Sequence, residues 1–258
     1  MPSHFGQYVG IDYSGAATPE KRSATLQVYR SSGRGAQPVE PPNQGSRARN
    51  WNRIEIYHWL GHQLDRATQT GDPIIIGIDH GFSFPIDYFQ RYQLNTWNSF
   101  LEDFVQHWPT DQPGATVQQF RDGSQRSGDN RELRLTERWT SSAKSVFQFD
   151  VQGSVAKSTH AGLPFLNRLR KQRQFHCWPF DGWDVPEGVS VVSEVFPSLF
   201  RQRFDRESRT VDQQDAYAIC RWLEESDRAG HLANFFHPPL SGKQRRQAKL
   251  EGWILGVY

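Results

Sequence analysis

The sequence has little cysteine and no long apolar run. Its 258 residues include only two cysteines, Cys177 and Cys220, which form no C-x-x-C pair. This spacing disfavours a structural zinc site and predicts that both thiols pack in the core. No segment has the length and apolarity of a membrane span or the form of a signal peptide. These absences predict a cytoplasmic protein in a reducing compartment, without a membrane partner.

Neither sign of charge predominates. The chain carries 30 Lys and Arg against 28 Asp and Glu, a formal net charge of +2. This balance does not indicate a general attraction to nucleic acid and leaves room only for local basic patches. Basic residues cluster at 168–173, 201–209 and 243–249. Each cluster is typical of a solvated helix face, and the alternative interpretation is a set of phosphate contacts near an acidic site.

Short apolar runs alternate with amphipathic segments along the chain. The runs typical of strands are 6–12, 22–30, 74–78 and 189–200. The segments with helical spacing are 51–68, 86–108, 158–175 and 210–226. Strands that alternate with helices predict an α/β fold with a partly parallel sheet.

The length of the chain predicts one domain over residues 1–258. Residues 109–143 are polar, contain glycine and are dense in both charges. This composition is typical of a surface insertion or a mobile lid. We therefore expect one domain with a charged surface insertion at about 109–143.

Acidic residues stand at or near the ends of the apolar strands. Asp12 ends "VGID", Asp79 ends "IIIGID", Glu194 lies in "VVSEV", and Asp215 falls in the first turns of a predicted helix. In an open α/β sheet, ligand sites gather at strand ends, so acids that are distant in sequence can converge there. Clustered carboxylates repel one another unless cations are present, and oxygen ligands suit Mg²⁺ or Mn²⁺. The pattern predicts a metal site made of these four acids.

Each acid also has a purely structural interpretation. Asp12 and Asp79 are followed by turn residues whose amides they can bind. Asp212 stands where a helix N-cap belongs, with Asp215 three residues later, so both can serve the helix start. We assign capping to Asp212 and metal ligation to Asp215. The small residues from Ser14 to Ala17 are expected to keep the space over Asp12 open for a metal-bound phosphate.

A set of segments, in this order, resembles a known family. The segments are "GIDYSGA", "IIIGIDHGFSFP", "GSVAKSTHAGLPFLNRLR", "VSEVFPSLF" and "DQQDAYAICRWL". Together they are similar to the domain of unknown function 429 family, whose members are predicted nucleases with an RNase H-like fold. The resemblance implies a mixed five-stranded sheet flanked by helices. It also places the predicted acidic site on Asp12, Asp79, Glu194 and Asp215.

These observations predict a metal-dependent nuclease that cleaves phosphodiester bonds by two-metal-ion hydrolysis, with Asp12 as the bridging ligand. Further candidates for phosphate contact or proton transfer are Ser14, Lys144, Lys157 and His160. The predicted partner is nucleic acid of undetermined type. The sequence indicates no oligomeric state.

Two other classes of function fit parts of the pattern. The stretch "IDYSGAAT" suits an ATP-dependent phosphotransferase of the actin-like kinase type, in which an acid and small residues after the first strand lie beside nucleotide phosphates. Kinases of that type normally have two such domains, and this chain is short for two. The other alternative is a non-catalytic nucleic-acid-binding or regulatory protein that has kept the sheet and lost the reaction.

Overall fold

The computed structural model describes residues 4–42, 50–123, 126–140, 142–151 and 153–258. They form a mixed six-stranded sheet with helices packed on both faces, so the predicted α/β class is confirmed. The strands are β1 (Gln7–Asp12), β2 (Gln27–Ser31), β3 (Gln37–Pro38), β4 (Ile74–Asp79), β5 (His176–Trp178) and β6 (Val191–Glu194). The helices are α1 (Arg53–Thr70), α2 (Ile86–Arg91), α3 (Trp97–His107), α4 (Val117–Gly123), α5 (Leu135–Arg138), α6 (Ala156–Gln172), α7 (Val211–Arg228), α8 (Leu232–Phe235) and α9 (Gly242–Glu251).

The strand order in the sheet is β3-β2-β1-β4-β6-β5. β1 pairs antiparallel with β2 and parallel with β4, and β6 pairs parallel with both β4 and β5. The unbroken apolar run in β4 fits this central position, because a parallel strand covered on both faces has no polar side. The carboxyl ends of β1, β4 and β6 therefore meet at one edge of the sheet.

Two apolar cores lie on opposite faces of the sheet. One core contains side chains of α1, α3 and α6, and the other contains the apolar face of α7. α7 lies directly over β1 and β2. Gly10 permits this close approach, because a Cβ built there would lie 2.2 Å from the carbonyl oxygen of Ala216 and 2.6 Å from the amide nitrogen of Cys220. The missing side chain brings the start of α7 close to the end of β1.

The structure differs from the sequence predictions at several elements. The predicted helix over 86–108 is two helices, because Thr96 and Ser99 form a capping box that starts α3 anew. The sheet has six strands, whereas the resemblance implied five. Two short strands, β3 with two residues and β5 with three, were not predicted, because runs of that length give no periodic signal.

The predicted insertion at 109–143 is partly built into the fold. Arg134, Thr136 and Glu137 are buried, and α5 packs against α9. The charges in this segment led to the expectation of a surface insertion, since Arg and Glu are seldom buried unless they are paired. Here they are paired with each other and with Glu194. Residues 134–137 are therefore part of the interior of the protein.

Both cysteines are buried free thiols, as the sequence predicted. The Cys220 thiol donates a hydrogen bond to the carbonyl oxygen of Tyr8 at 3.3 Å, and Cys177 lies on β5. Among the residues that the structure describes, no helix combines the length and the apolarity needed to cross a membrane.

We expect Gly10→Ala to destabilise the protein by about 3 kcal/mol, because the new methyl group would force α7 away from β1. Gly61→Ala is the matched control. Gly61 lies within α1, and its Cβ would make an ordinary contact, 3.5 Å from Arg173, so we expect a gain of up to about 1 kcal/mol from higher helix propensity. Urea unfolding of both variants measures the two changes. Equal stability of the Gly10→Ala and unmodified proteins would show that the close approach is not a constraint.

Candidate active site

A cavity of about 900 Å³ opens at the edge of the sheet where β1, β4 and β6 end. Its wall includes seven of the eight residues that the sequence singled out: Asp12, Ser14, Asp79, Lys144, Lys157, Glu194 and Asp215. The remaining one, His160, does not line the cavity. The cavity also contains Arg134, Arg201 and Asp212, to which the sequence assigned no direct role in the site.

The pairing of β1 with β4 sets Asp12 directly opposite Asp79. Neighbouring strands lie about 4.8 Å apart, so the two carboxylates start from adjacent backbone positions. Both side chains point toward α7, since Cβ atoms at Gly10 and Gly77, two residues earlier on each strand, would meet α7. α7 supplies Asp212 and Asp215 to the same cavity. Four aspartates therefore converge from two strands and one helix.

Burial and mutual repulsion disfavour the charged forms of these acids. The pKa of Asp12 is raised well above 3.8, first by burial and then by the charges of Asp79, Asp212 and Asp215. Burial, Asp215 and Glu194 raise the pKa of Asp79 well above its ordinary value, against a smaller lowering by Arg201. The pKa of Asp215 is also raised, mainly by burial, although Arg201 opposes the change. The cluster thus favours bound protons or a bound cation.

Asp212 does not cap α7, so the capping prediction is wrong. Thr210 is the N-cap, and its side chain accepts a hydrogen bond from the amide of Gln213 in a capping box. Asp212 is left free to approach Asp12, and the hydrogen bond between their carboxyl groups helps to raise the pKa of Asp12. The signal was present in "TVDQ", because Thr followed three residues later by Gln is a capping-box pattern.

Glu194 lies at the cavity edge but has close partners of its own. Arg134 binds it in a bidentate manner, with Nη1 2.7 Å from Oε2 and Nη2 2.6 Å from Oε1. The amide of Phe82 donates a further hydrogen bond to Oε2 at 3.0 Å. No local pattern indicates this pairing, because Arg134 lies 60 residues earlier in the predicted insertion.

Arg201 is the second arginine of the cavity. Its Nη1 lies 3.0 Å from Oδ2 of Asp215. The two arginines differ in exposure: the side chain of Arg201 is 40 % exposed, and that of Arg134 is 1 % exposed. The sequence placed Arg201 in a basic cluster and left open whether such clusters contact phosphate. The structure places it in the cavity.

The lining of the cavity also includes exposed cationic groups and a hydroxyl group. Lys144 and Lys157 are exposed, and Ser14 is partly buried. Gly15 packs tightly here, because a Cβ on it would lie 1.9 Å from the carbonyl oxygen of Lys157. Gly15 therefore has a packing role that the sequence prediction did not include. Its lack of a side chain brings the loop after β1 against the start of α6.

His160 lies away from these groups. It is fully buried among aromatic rings that include Phe84, Trp108 and Phe149. Its Nδ1 lies 2.8 Å from the carbonyl oxygen of Ala156. Burial lowers its pKa to about 3, so the ring is neutral near neutral pH. In this position His160 cannot contact a phosphate in the cavity.

The donor set of the cavity fits a hard divalent cation in its chemistry. Asp12, Asp79, Asp212 and Asp215 offer only carboxylate oxygens, which Mg²⁺ and Mn²⁺ prefer. Within the described ranges, however, no three His, Cys, Asp or Glu side chains are already arranged around one metal position. A cation held here would therefore draw the aspartates closer together, against the repulsion that now separates them.

We expect Asp12→Asn to stabilise the metal-free protein at neutral pH. Between 3.8, its ordinary value, and its raised value in the fold, the folded state binds more protons than the unfolded state, so stability falls as pH rises through this interval. Replacing the carboxylate removes this loss, so we expect the variant to unfold at a higher temperature than the unmodified protein at neutral pH. Thermal unfolding with chelator present, from about pH 4 to about pH 8, measures it.

The gain should vanish near about pH 4, where Asp12 itself is protonated. Asp184→Asn is the control, because that side chain is 97 % exposed and its removal should leave the pH profile unchanged. A loss of stability in Asp12→Asn, or a gain that is the same at every pH, would contradict the inferred repulsion.

Comparison with known proteins identifies no relative: no family model matches the chain, and no curated protein or solved structure is significantly similar to it. The resemblance to the domain of unknown function 429 family therefore stays a prediction.

Proposed function

We propose that this protein is a divalent-metal-dependent nuclease that hydrolyses phosphodiester bonds. The observation that carries the proposal is the convergence of Asp12, Asp79, Asp212 and Asp215 in one large cavity that is also lined by exposed lysines. Carboxylates that attract cations and lysines that attract anions are together suited to a metal-bound phosphate.

The four aspartates support metal binding through their electrostatics. Each of Asp12, Asp79 and Asp215 has a raised pKa that burial and neighbouring carboxylates cause. A divalent cation removes that repulsion and takes oxygen ligands, whereas a proton neutralises only one group at a time. Metal binding therefore favours the ionised forms of Asp12, Asp79 and Asp215.

The basic groups of the cavity support the binding of an anionic substrate. Lys144 and Lys157 are exposed in the cavity, and the first turn of α6 faces it with Ser158. A helix start carries a partial positive charge and free amide donors, both of which favour phosphate. Arg201 adds an exposed guanidinium that can exchange Asp215 for a phosphate oxygen.

The roles of the chain's own groups follow from these positions. Asp12 and Asp79, on adjacent strands, would hold the cation, and α7 would bring Asp215 and Asp212 to it. A bound divalent ion supplies activation of a water molecule and stabilisation of charge on the phosphate. Lys144, Lys157 and Arg201 would orient the phosphodiester and offset its charge. Ser14, which lies near Asp12, would donate a hydrogen bond to the phosphodiester.

The fold is compatible with the RNase H-like architecture that we propose. In the described structure, acids lie on the first strand, on a central parallel strand, on the next parallel strand and on the last long helix. This is the arrangement that the resemblance implies. It supports the nuclease interpretation more strongly than sequence order alone, because the strand ends occupy one edge of one sheet.

We expect cleavage of DNA or RNA that requires Mg²⁺ or Mn²⁺ and stops when a chelator is added. In Asp12→Asn, the rate should fall by at least about 100-fold, the loss typical when one group that stabilises developing charge is removed. Asp184→Asn, in the exposed position used above, should cleave at the unmodified rate. Gel assays on single-stranded, duplex and junction substrates of both nucleic acids, with each metal, measure these rates.

Two results would replace this proposal with one of the alternatives. Stabilisation by ATP together with ATP turnover, without cleavage of any nucleic acid, would favour a phosphotransferase. Binding of nucleic acid without cleavage or nucleotide turnover would favour a non-catalytic binding protein. Cleavage at the full rate in Asp12→Asn would contradict the site assignment.

A further inference from the structure

We infer that Glu194 is not a metal ligand but the partner of Arg134, which acts as a positioning residue at the cavity edge, and that Asp212 supplies the fourth carboxylate to the metal. This inference rests on the proposed metal-dependent function and defines its ligand set. It differs from the set Asp12, Asp79, Glu194 and Asp215 that the sequence predicted. The metal would then be held by two strands and α7, without a ligand from β6.

Both oxygens of Glu194 already accept strong hydrogen bonds. Arg134 donates to Oε1 at 2.6 Å and to Oε2 at 2.7 Å, and the amide of Phe82 donates to Oε2 at 3.0 Å. Bidentate pairing between guanidinium and carboxylate is among the strongest polar contacts in proteins. A metal that used Glu194 would compete with all three donors.

Arg134 cannot move aside easily. Its Nε donates to Oε1 of Glu137 at 2.8 Å, and Nη1 also lies 3.3 Å from the carbonyl oxygen of Glu251. Burial alone would lower the pKa of Arg134, but the charges of Glu194 and Glu137 raise it above the ordinary value. The arginine is therefore charged, surrounded by acceptors and almost completely excluded from water.

The neighbouring backbone holds this network in place. Glu251 accepts hydrogen bonds from the amides of Ile86 and Leu135, both at 2.6 Å. The amide of Arg134 itself donates to Oε2 of Glu137 at 2.8 Å. Arg134 therefore lies where the starts of α2 and α5 meet the end of α9. Release of Glu194 would leave a buried guanidinium without its best partner, which is strongly unfavourable.

The ion pair of Arg201 and Asp215 is more exposed to solvent than that of Arg134 and Glu194. It lies in the same cavity, but Arg201 is 40 % exposed and Asp215 forms its ion pair at 3.0 Å. An exposed arginine loses little when it exchanges a carboxylate for water or phosphate. Asp215 is thus available to a metal, whereas Glu194 is retained by Arg134.

Asp212 takes the place of Glu194 as the fourth carboxylate ligand. It lines the same cavity as Asp12 and Asp79, and its carboxylate is not used at the helix start, because Thr210 caps α7. Asp212 and Asp215 are three residues apart on α7, so both present oxygens to the same side of the helix.

Calorimetric titration of the full chain with Mn²⁺ alone tests this ligand set. We expect Asp79→Asn to weaken Mn²⁺ binding by more than about 100-fold and Asp212→Asn by more than about tenfold. Glu194→Gln should weaken it by less than about tenfold, since the side-chain amide oxygen can still accept from the amide of Phe82 and from one nitrogen of Arg134. A thermal unfolding curve of each variant shows whether that variant is folded at the titration temperature.

A loss in Glu194→Gln as large as that in Asp79→Asn would overturn the inference while leaving metal dependence intact. No Mn²⁺ binding by the unmodified chain would overturn the proposed function and this ligand set with it. Undiminished Mn²⁺ binding by Asp212→Asn would also overturn the inference, because the inferred ligand set includes the carboxylate of Asp212.

NMR on the unmodified chain gives a second test that does not depend on a variant folding. We expect titration with Mg²⁺ to shift the amide signals next to Asp12 and Asp79. The Nε–H signal of Arg134 and the amide signal of Phe82 should stay in place, since their bonds to Glu137 and Glu194 persist. Movement of these two signals in step with the amides beside Asp12 would overturn the inference.

Discussion

The register between β1 and β4 is the constraint on which the cavity depends. It fixes Asp12 opposite Asp79 at the ends of two parallel strands, and no change of side-chain rotamer can separate their backbones. Glycines at positions 10 and 77 then admit α7 so closely that its first turns, with Asp212 and Asp215, close over the same point. Tight packing and repulsion thus follow from the same few residues.

Two arginines limit the repulsion in different ways. Arg134 is fixed in the interior and neutralises Glu194, with Glu137 and Glu251 completing its surroundings. Arg201 is exposed and contacts Asp215. One arginine serves the structure of the cavity edge, and the other can exchange its partner. Exposure, rather than charge, distinguishes a permanent ion pair from one that a substrate can displace.

The sequence predicted the parts of the site that depend on local pattern. Apolar runs ending in Asp12 and Asp79 gave the strands, and the parallel arrangement predicted that the acids would meet. Asp212 was misassigned because two capping patterns overlap in "TVDQQD", and the structure uses the one that begins at Thr210. His160 was misplaced because a histidine in a polar-looking segment gives no sign of the aromatic rings that pack around it from other segments.

Partners far apart in sequence were beyond local reasoning. Arg134 lies in a segment whose charges suggested a surface insertion, and only the fold brings it to Glu194, 60 residues later. The split between α2 and α3 has a local cause in Thr96 and Ser99, but the apolar spacing across it is continuous enough to hide the break. Long-range pairing of buried charges therefore marks the limit of what the sequence alone predicts here.

The repulsion among the aspartates links stability to the proposed chemistry. In the metal-free protein, the raised pKa values mean that ionising these acids at neutral pH costs folding free energy. A cation that binds the folded state but not the unfolded chain recovers that free energy, because binding stabilises whichever state it selects. Replacing the acids by amides would remove both the cost and the affinity. The aspartates of the cavity therefore cost stability in the metal-free protein, and the proposed cation would restore it.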